Sequence, residues 1–160
     1  MNNTKRLAYG GLLAALIMVA TAYLKFPTTL GYIHIGDGII YLSAAILGPF
    51  AGLVAAVGSC LADLLAGYVT YAPITFIIKG IMGLVAGYLL QKKTRSVAYS
   101  ALLLLLLQAF MVLGYFLFEA ILYGMPAALP SAGFNCIQGI AGVAIGLAAI
   151  LFTQKLMPKK

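Results

Sequence analysis

Four ionisable side chains stand inside stretches that are otherwise apolar: Asp37, Asp63, Lys79 and Glu119. In hydrocarbon each costs at least about 2.5–3.5 kcal/mol on insertion scales, so such a group persists where it pairs, faces a polar cavity or meets a ligand. Asn135 and Gln138, one helical turn apart, add amides that both donate and accept. Steps of 4, 3, 4 and 4 join Gln108, Val112, Tyr115, Glu119 and Tyr123 into one stripe of a helix. Thr75, Lys79, Gly83 and Gly87 make a second stripe, and Asn135, Gln138, Gly142 and Gly146 a third, each polar at one end and glycine at the other. Helices so patterned close on one another through the glycines while their polar ends surround a pocket. Structural roles compete with this reading. Asp63 and Lys79 could neutralise each other, Asp37 could cap a helix, and Glu119 could reach the membrane interface by tilting. His34 has no neighbouring ligands from which to build a metal site.

The elements that must position these groups follow from the composition. Of 160 residues, 64% are hydrophobic and 8% charged, and mean hydropathy is +1.08. Such a chain cannot cover a water-facing surface, so the expected class is an all-α polytopic membrane protein. Runs such as 101–107 lack the alternation of barrel strands. Hydropathy and breakers divide the chain into six helices, at about 7–24, 38–47, 51–68, 74–90, 97–123 and 131–156, in a single membrane domain covering 1–160. Gly48-Pro49 separates the short second helix from the third, and Pro126 and Pro130 mark the turn before the sixth. Residues 25–36, broken by Pro and Gly, read as one long loop. The basic start followed by an apolar run imitates a signal peptide, but its removal would leave an odd number of spans, so it is kept as the first helix.

A net charge of +7 would suggest nucleic acid in a soluble protein; here the basic residues cluster between apolar segments. With both termini cytoplasmic, Lys5, Arg6, Lys92, Lys93, Arg95, Lys155, Lys159 and Lys160 lie inside and Lys25 alone lies outside. That topology puts Asp37, Asp63, Lys79, Glu119, Asn135 and Gln138 in the outer half. It also puts seven of ten tyrosines there: Tyr23, Tyr32, Tyr41, Tyr68, Tyr71, Tyr115 and Tyr123. An interfacial aromatic belt has two sides, so the lopsided set suits stacking on a planar ligand. The expected pocket therefore uses Tyr41, Asp63, Thr75, Lys79, Tyr115, Glu119, Asn135 and Gln138. The 25–36 loop is its lid, contributing Tyr32 and His34 with Asp37 at its end, and Gly31 and Gly36 as points of flexure. Cys60 and Cys136 read as small buried residues. No phosphate-binding glycine loop, HExxH, GxSxG or residue-level repeat is present, so the chain is expected to hydrolyse no ATP and to be no enzyme. An independent proton-coupled transporter using Asp63, Lys79 and Glu119, or a small membrane enzyme or structural protein, remain open on the residues alone.

Several segments, in order, carry a family likeness: Gly31-Tyr32-Ile33-His34-Ile35-Gly36-Asp37, Leu47-Gly48-Pro49-Phe50-Ala51-Gly52, Gly58-Ser59-Cys60-Leu61-Ala62-Asp63, Ala72-Pro73-Ile74-Thr75 and Ile78-Lys79-Gly80-Ile81-Met82-Gly83. The chain resembles the substrate-binding S component of an energy-coupling factor (ECF) transporter, in the branch of riboflavin, pyridoxine and hydroxymethylpyrimidine S components. That resemblance implies six helices, a vitamin site near the outer face roofed by the 25–36 loop, and the plasma membrane of a bacterium. It implies as partners a transmembrane coupling protein and two ATPases, which alone use ATP, with no cofactor, metal or nucleic acid bound by this chain. It further implies docking through small residues four apart on the first helix, here Gly10 with Ala14 and Gly11 with Ala15.

Overall fold

The structure, a computed structural model, describes residues 1–28, 30–90 and 96–156. Its elements are α1 (Asn3–Tyr23), β1 (Lys25–Pro27), β2 (Tyr32–His34), α2 (Gly36–Leu47), α3 (Ala51–Leu65), α4 (Ala72–Leu90), α5 (Val97–Tyr123) and α6 (Met125–Leu156). Lys92, Lys93, Arg95, Lys159 and Lys160, which carry much of the expected charge asymmetry, lie outside the described residues.

Local chemistry sets the boundaries. The Asn2 side chain accepts from the Lys5 N–H at 3.0 Å, which starts α1 four residues earlier than hydropathy alone suggests. Ser96 caps α5 in the same manner, accepting from the Tyr99 N–H at 3.1 Å. Gly67, at φ +85°, stops α3 at Leu65 rather than at residue 68. The sixth helix corrects the expected start at 131. Pro126 sits in its first turn, where a missing N–H costs nothing, and Pro130 forfeits only one bond near an end, so α6 begins at Met125.

Five stretches among the described residues are long and apolar enough to cross a membrane, one of them Gly36–Leu65. Their outward faces are rich in large apolar side chains, including Leu102, Leu105, Leu106, Ile121 and Ile140, and the molecule is a membrane protein. The Gly36–Leu65 stretch is not one rod. Gly48 has φ 60°, and a 3₁₀ turn, Gly48–Phe50, links α2 to α3. Against α4, Asp37 meets Lys79 and Gly48 meets Gly87, so α2 runs parallel to it. Ala51 meets Gly83 and Ala56 meets Gly80, so α3 runs antiparallel. The chain thus reverses at the 3₁₀ turn. Gly10 with Val54 and Ala14 with Gly58 set α1 parallel to α3, Thr75 with Tyr115 and Lys79 with Met111 set α5 antiparallel to α4, and Gln108 with Gly139 and Glu119 with Ser131 set α6 antiparallel to α5, so the described helices alternate in direction.

Glycines make this packing possible. A Cβ on Gly87 would collide with the Gly48 carbonyl, one on Gly83 would lie 2.6 Å from the Ala51 carbonyl oxygen, and one on Gly146 would lie 2.6 Å from the Tyr41 ring. The lower half of the bundle is therefore shut, with one apolar cluster around Tyr41, Ile78, Met82, Leu104 and Met111 and another around Ile17, Ile40, Leu47 and Val54.

Candidate functional site

At the other end, between α3, α4, α5 and α6, lies a cavity of about 40 Å³. Asp63, Thr75, Tyr115, Glu119, Asn135 and Gln138 from the sequence-derived set all line it, joined by Tyr68, Tyr71, Ser131 and, from above, Thr28, Gly31, Tyr32 and His34. Two groups from that set stand elsewhere. Tyr41 is fully buried against Gly146 in the apolar cluster, because its place on α2 faces α6 below the cavity. Lys79 is fully buried beneath the cavity, and its partner is Asp37, at 2.6 Å, rather than Asp63.

Asp37 is accordingly neither a lid residue nor a capping group. It occupies the first turn of α2, whose N-cap, Ile35, makes no side-chain bond. Its other oxygen accepts from Gln138 Nε2 at 3.1 Å. Met111 Sδ closes the cluster, 2.9 Å from Lys79 Nζ and 3.4 Å from Gln138 Nε2. Met111 was on the page in sequence, three residues after Gln108 and four before Tyr115, but the stripe ran through Val112. Ser131 was equally visible, one turn ahead of Asn135 and Gln138, once the helix is known to begin earlier.

The roof is not an irregular loop. Lys25–Pro27 and Tyr32–His34 pair as an antiparallel hairpin, in register Lys25 to His34, Phe26 to Ile33 and Pro27 to Tyr32. A lone two-stranded ribbon has only edges, so Pro27 is tolerated there. The Thr28 N–H donates to the Gly31 carbonyl at 2.8 Å and tightens the tip. Gly36, expected to flex, is buried; a Cβ there would meet Thr21 Oγ1, so its role is close approach to α1.

Three hydrogen bonds pin this hairpin to three different parts of the bundle. Tyr32 donates to Asp63 Oδ1 at 2.6 Å, Tyr68 to the Gly31 carbonyl at 3.4 Å, and the His34 N–H to Gln138 Oε1 at 3.1 Å. His34 Nδ1 accepts from the Gly36 N–H at 3.1 Å. Burial, with Lys79 adding to it and Asp37 opposing, holds the His34 pKa down at about 4. The ring is therefore neutral near pH 7, and with Nδ1 accepting, its proton is on Nε2. Burial and the Asp63 carboxylate raise the Tyr32 pKa, so its hydroxyl stays a donor.

Aromatic rings form the wall. Tyr32 and Tyr68 lie 4.9 Å apart and Tyr68 and Tyr71 6.1 Å, while the exposed Tyr123 stacks on Tyr71 at 6.4 Å from outside the cavity. Tyr71 donates to Glu119 Oε1 at 3.1 Å, and the Thr75 and Tyr115 hydroxyls share a bond of 2.9 Å. Gln108 packs on Gly139 and Gly142 and Tyr23 is exposed, so neither belongs to the wall. No group of three or more potential metal ligands exists among the described residues.

On α1 the two small-residue pairs separate. Gly10 lies under the Phe50 ring and Ala14 under Gly58, both packed on α3, whereas Gly11 and Ala15 are exposed, with nothing within 4 Å of a Cβ added at Gly11.

The chain is 35% identical over 126 residues to a Pyrococcus woesei protein described as "Uncharacterized protein in gap 3'region", covering 77% of this chain and 82% of that one. The family model "ECF-type riboflavin transporter, S component" matches residues 1–155. That is a transport family and not one of enzymes, and its S components, the vitamin-binding subunits, work with a coupling protein and ATPases. The match spans nearly the whole chain, and the chain belongs to the family of ECF-type riboflavin transporter S components.

Proposed function

We propose that this chain captures a small, planar, water-soluble vitamin or precursor, of riboflavin, pyridoxine or hydroxymethylpyrimidine type, at the outer face of the cell membrane. It delivers the ligand to a transmembrane coupling protein driven by two ATPases. The observation that carries this reading is the chamber itself, in which aromatic rings and paired polar groups from four helices converge under a pinned hairpin. Alternating helix directions support six crossings, with α2 and α3 as two short legs, and the Lys5 and Arg6 end then lies in the cytoplasm. Gly11 and Ala15 form the face that meets the coupling protein, since the Gly10 and Ala14 face is occupied by α3. Lys79, committed to Asp37, is not free to serve as a proton-coupling group.

Mass spectrometry of small molecules retained through purification tests the ligand class. Reconstitution tests the mechanism: liposomes containing this chain alone should bind ligand yet accumulate none under a proton or sodium gradient, and uptake should require the coupling protein, ATPases and ATP. Accumulation by the isolated chain would overturn the reading in favour of an autonomous transporter.

A further inference from the structure

The charges left over in the chamber constrain what fits there, on the capture reading just given. Lys79 is spent on Asp37, and Lys25 lies over the faces of Tyr32 and Tyr68, 4.7 and 5.8 Å from their centroids. Two carboxylates remain in the chamber wall: Asp63, 6% exposed, and Glu119, 2% exposed. One oxygen of each is held by a tyrosine, Asp63 Oδ1 by Tyr32 and Glu119 Oε1 by Tyr71. The second oxygens, Asp63 Oδ2 and Glu119 Oε2, are buried and accept no well-formed hydrogen bond, although the Thr75 and Ser131 hydroxyls stand beside them. A buried carboxylate oxygen is costly until a donor reaches it, and a cationic donor satisfies it most strongly. The tyrosine faces around it present the negative side of their quadrupoles, which also favours positive charge. An anionic ligand would add negative charge to a space whose two carboxylates face a single further cation, Lys25, held at the rim over the Tyr32 and Tyr68 rings.

We propose that the chamber selects a ligand with a basic nitrogen edge, a protonated amine or amino-substituted heterocycle whose N–H groups reach Asp63 Oδ2 and Glu119 Oε2, and rejects phosphorylated relatives of the same ring. The ring plane lies among Tyr32, Tyr68, Tyr71 and Tyr115, and the nitrogen edge points toward the carboxylates.

Calorimetric titration of the purified full chain in detergent at pH 7.5 tests this with matched probes. These are pyridoxamine, pyridoxine and pyridoxamine 5′-phosphate; 4-amino-5-hydroxymethyl-2-methylpyrimidine and its monophosphate; and riboflavin with flavin mononucleotide. The expected result is that an amino-bearing, unphosphorylated probe binds at least about tenfold more tightly than its hydroxyl or phosphorylated counterpart. Glu119→Gln and, separately, Asp63→Asn should each erase most of that preference. Thermal unfolding of the unliganded variants serves as the control that both are folded, and preference in whichever variant folds decides the outcome. If a phosphorylated probe binds as tightly as its parent, or the preference survives both substitutions, the charge assignment is overturned while vitamin capture stands. If riboflavin alone binds and neither substitution affects it, the assignment falls in the same way. Failure of every probe to bind overturns both readings.

Discussion

Lys79 and Asp37 hold each other where neither touches water, and an ion pair of that kind is stabilising only as a pair. Lys79→Met should cost about 3–5 kcal/mol by stranding the Asp37 carboxylate, lowering the thermal midpoint in detergent, and Asp37→Asn in the same chain should recover most of the loss. A midpoint unchanged by the single substitution would show that the pair is dispensable. Asn135, by contrast, lines the chamber without a bond to the bundle that fixes it, so Asn135→Ala should leave the midpoint nearly unchanged and weaken binding of the retained ligand about 5- to 150-fold, the equivalent of about 1–3 kcal/mol. His34 gives the hairpin a pH dependence with a definite sign. Its folded pKa of about 4 is below the ordinary 6.5, so its contribution to closure is complete above pH 6.5 and is lost as pH falls toward 4, when the Nδ1 acceptor for Gly36 is protonated. Deuterium uptake by residues 25–34, corrected for intrinsic rate, should therefore rise between pH 6.5 and 4, and His34→Phe should flatten that profile.

At the scale of elements, α1 offers two faces that a single experiment separates. Gly11→Leu with Ala15→Leu adds bulk to the open face, so ligand affinity should survive while ATP-driven uptake with the partner proteins is lost. Gly10→Leu drives a side chain into Phe50, 2.7 Å from where a Cβ would stand, and should destabilise the bundle instead. Loss of binding and stability in the first variant would place the docking face elsewhere. Hydropathy and punctuation made most of these helices legible, and α5 matches at both ends because Ser96 and Gly124 bound an unbroken apolar run. The hairpin was not legible, since three residues per strand are too few for alternation to register against Pro and Gly. Nor was the partner of Lys79. Its 42-residue separation from Asp37 is bridged only by the depth at which α2 sits on α4, which Gly87 sets by admitting the Gly48 carbonyl. Thr75, Tyr115, Glu119, Asn135 and Gln138 were readable because a helical stripe fixes direction, and Asp63 because an ionisable group in an apolar helix must face something polar. Tyr41 misled because α2 was too short to reveal which side of it faced the chamber.

For the molecule as a whole, polar chamber above and glycine-packed floor below make two halves with different tasks, one shaped by donors and acceptors and the other by the absence of side chains. The chamber's volume has a consequence in time. At about 40 Å³ it holds about one water, whereas sites for small ligands run to about 300–1,000 Å³. A vitamin-sized ligand needs more room than this, so seating one fully requires Tyr32, Gly31 and His34 to shift from Asp63, Tyr68 and Gln138. Where that shift precedes capture, affinity measured at equilibrium is the intrinsic affinity reduced by the open fraction. In stopped-flow mixing the observed rate should climb with ligand and then level off, the plateau reporting the opening rate, on the microsecond-to-millisecond scale of lid motions. Tyr32→Phe removes one pin and should raise that plateau. A rate that stayed linear to the highest concentrations would mean that the roof stands open most of the time, and the hairpin would then be a threshold that ligands cross freely, with its closure following capture.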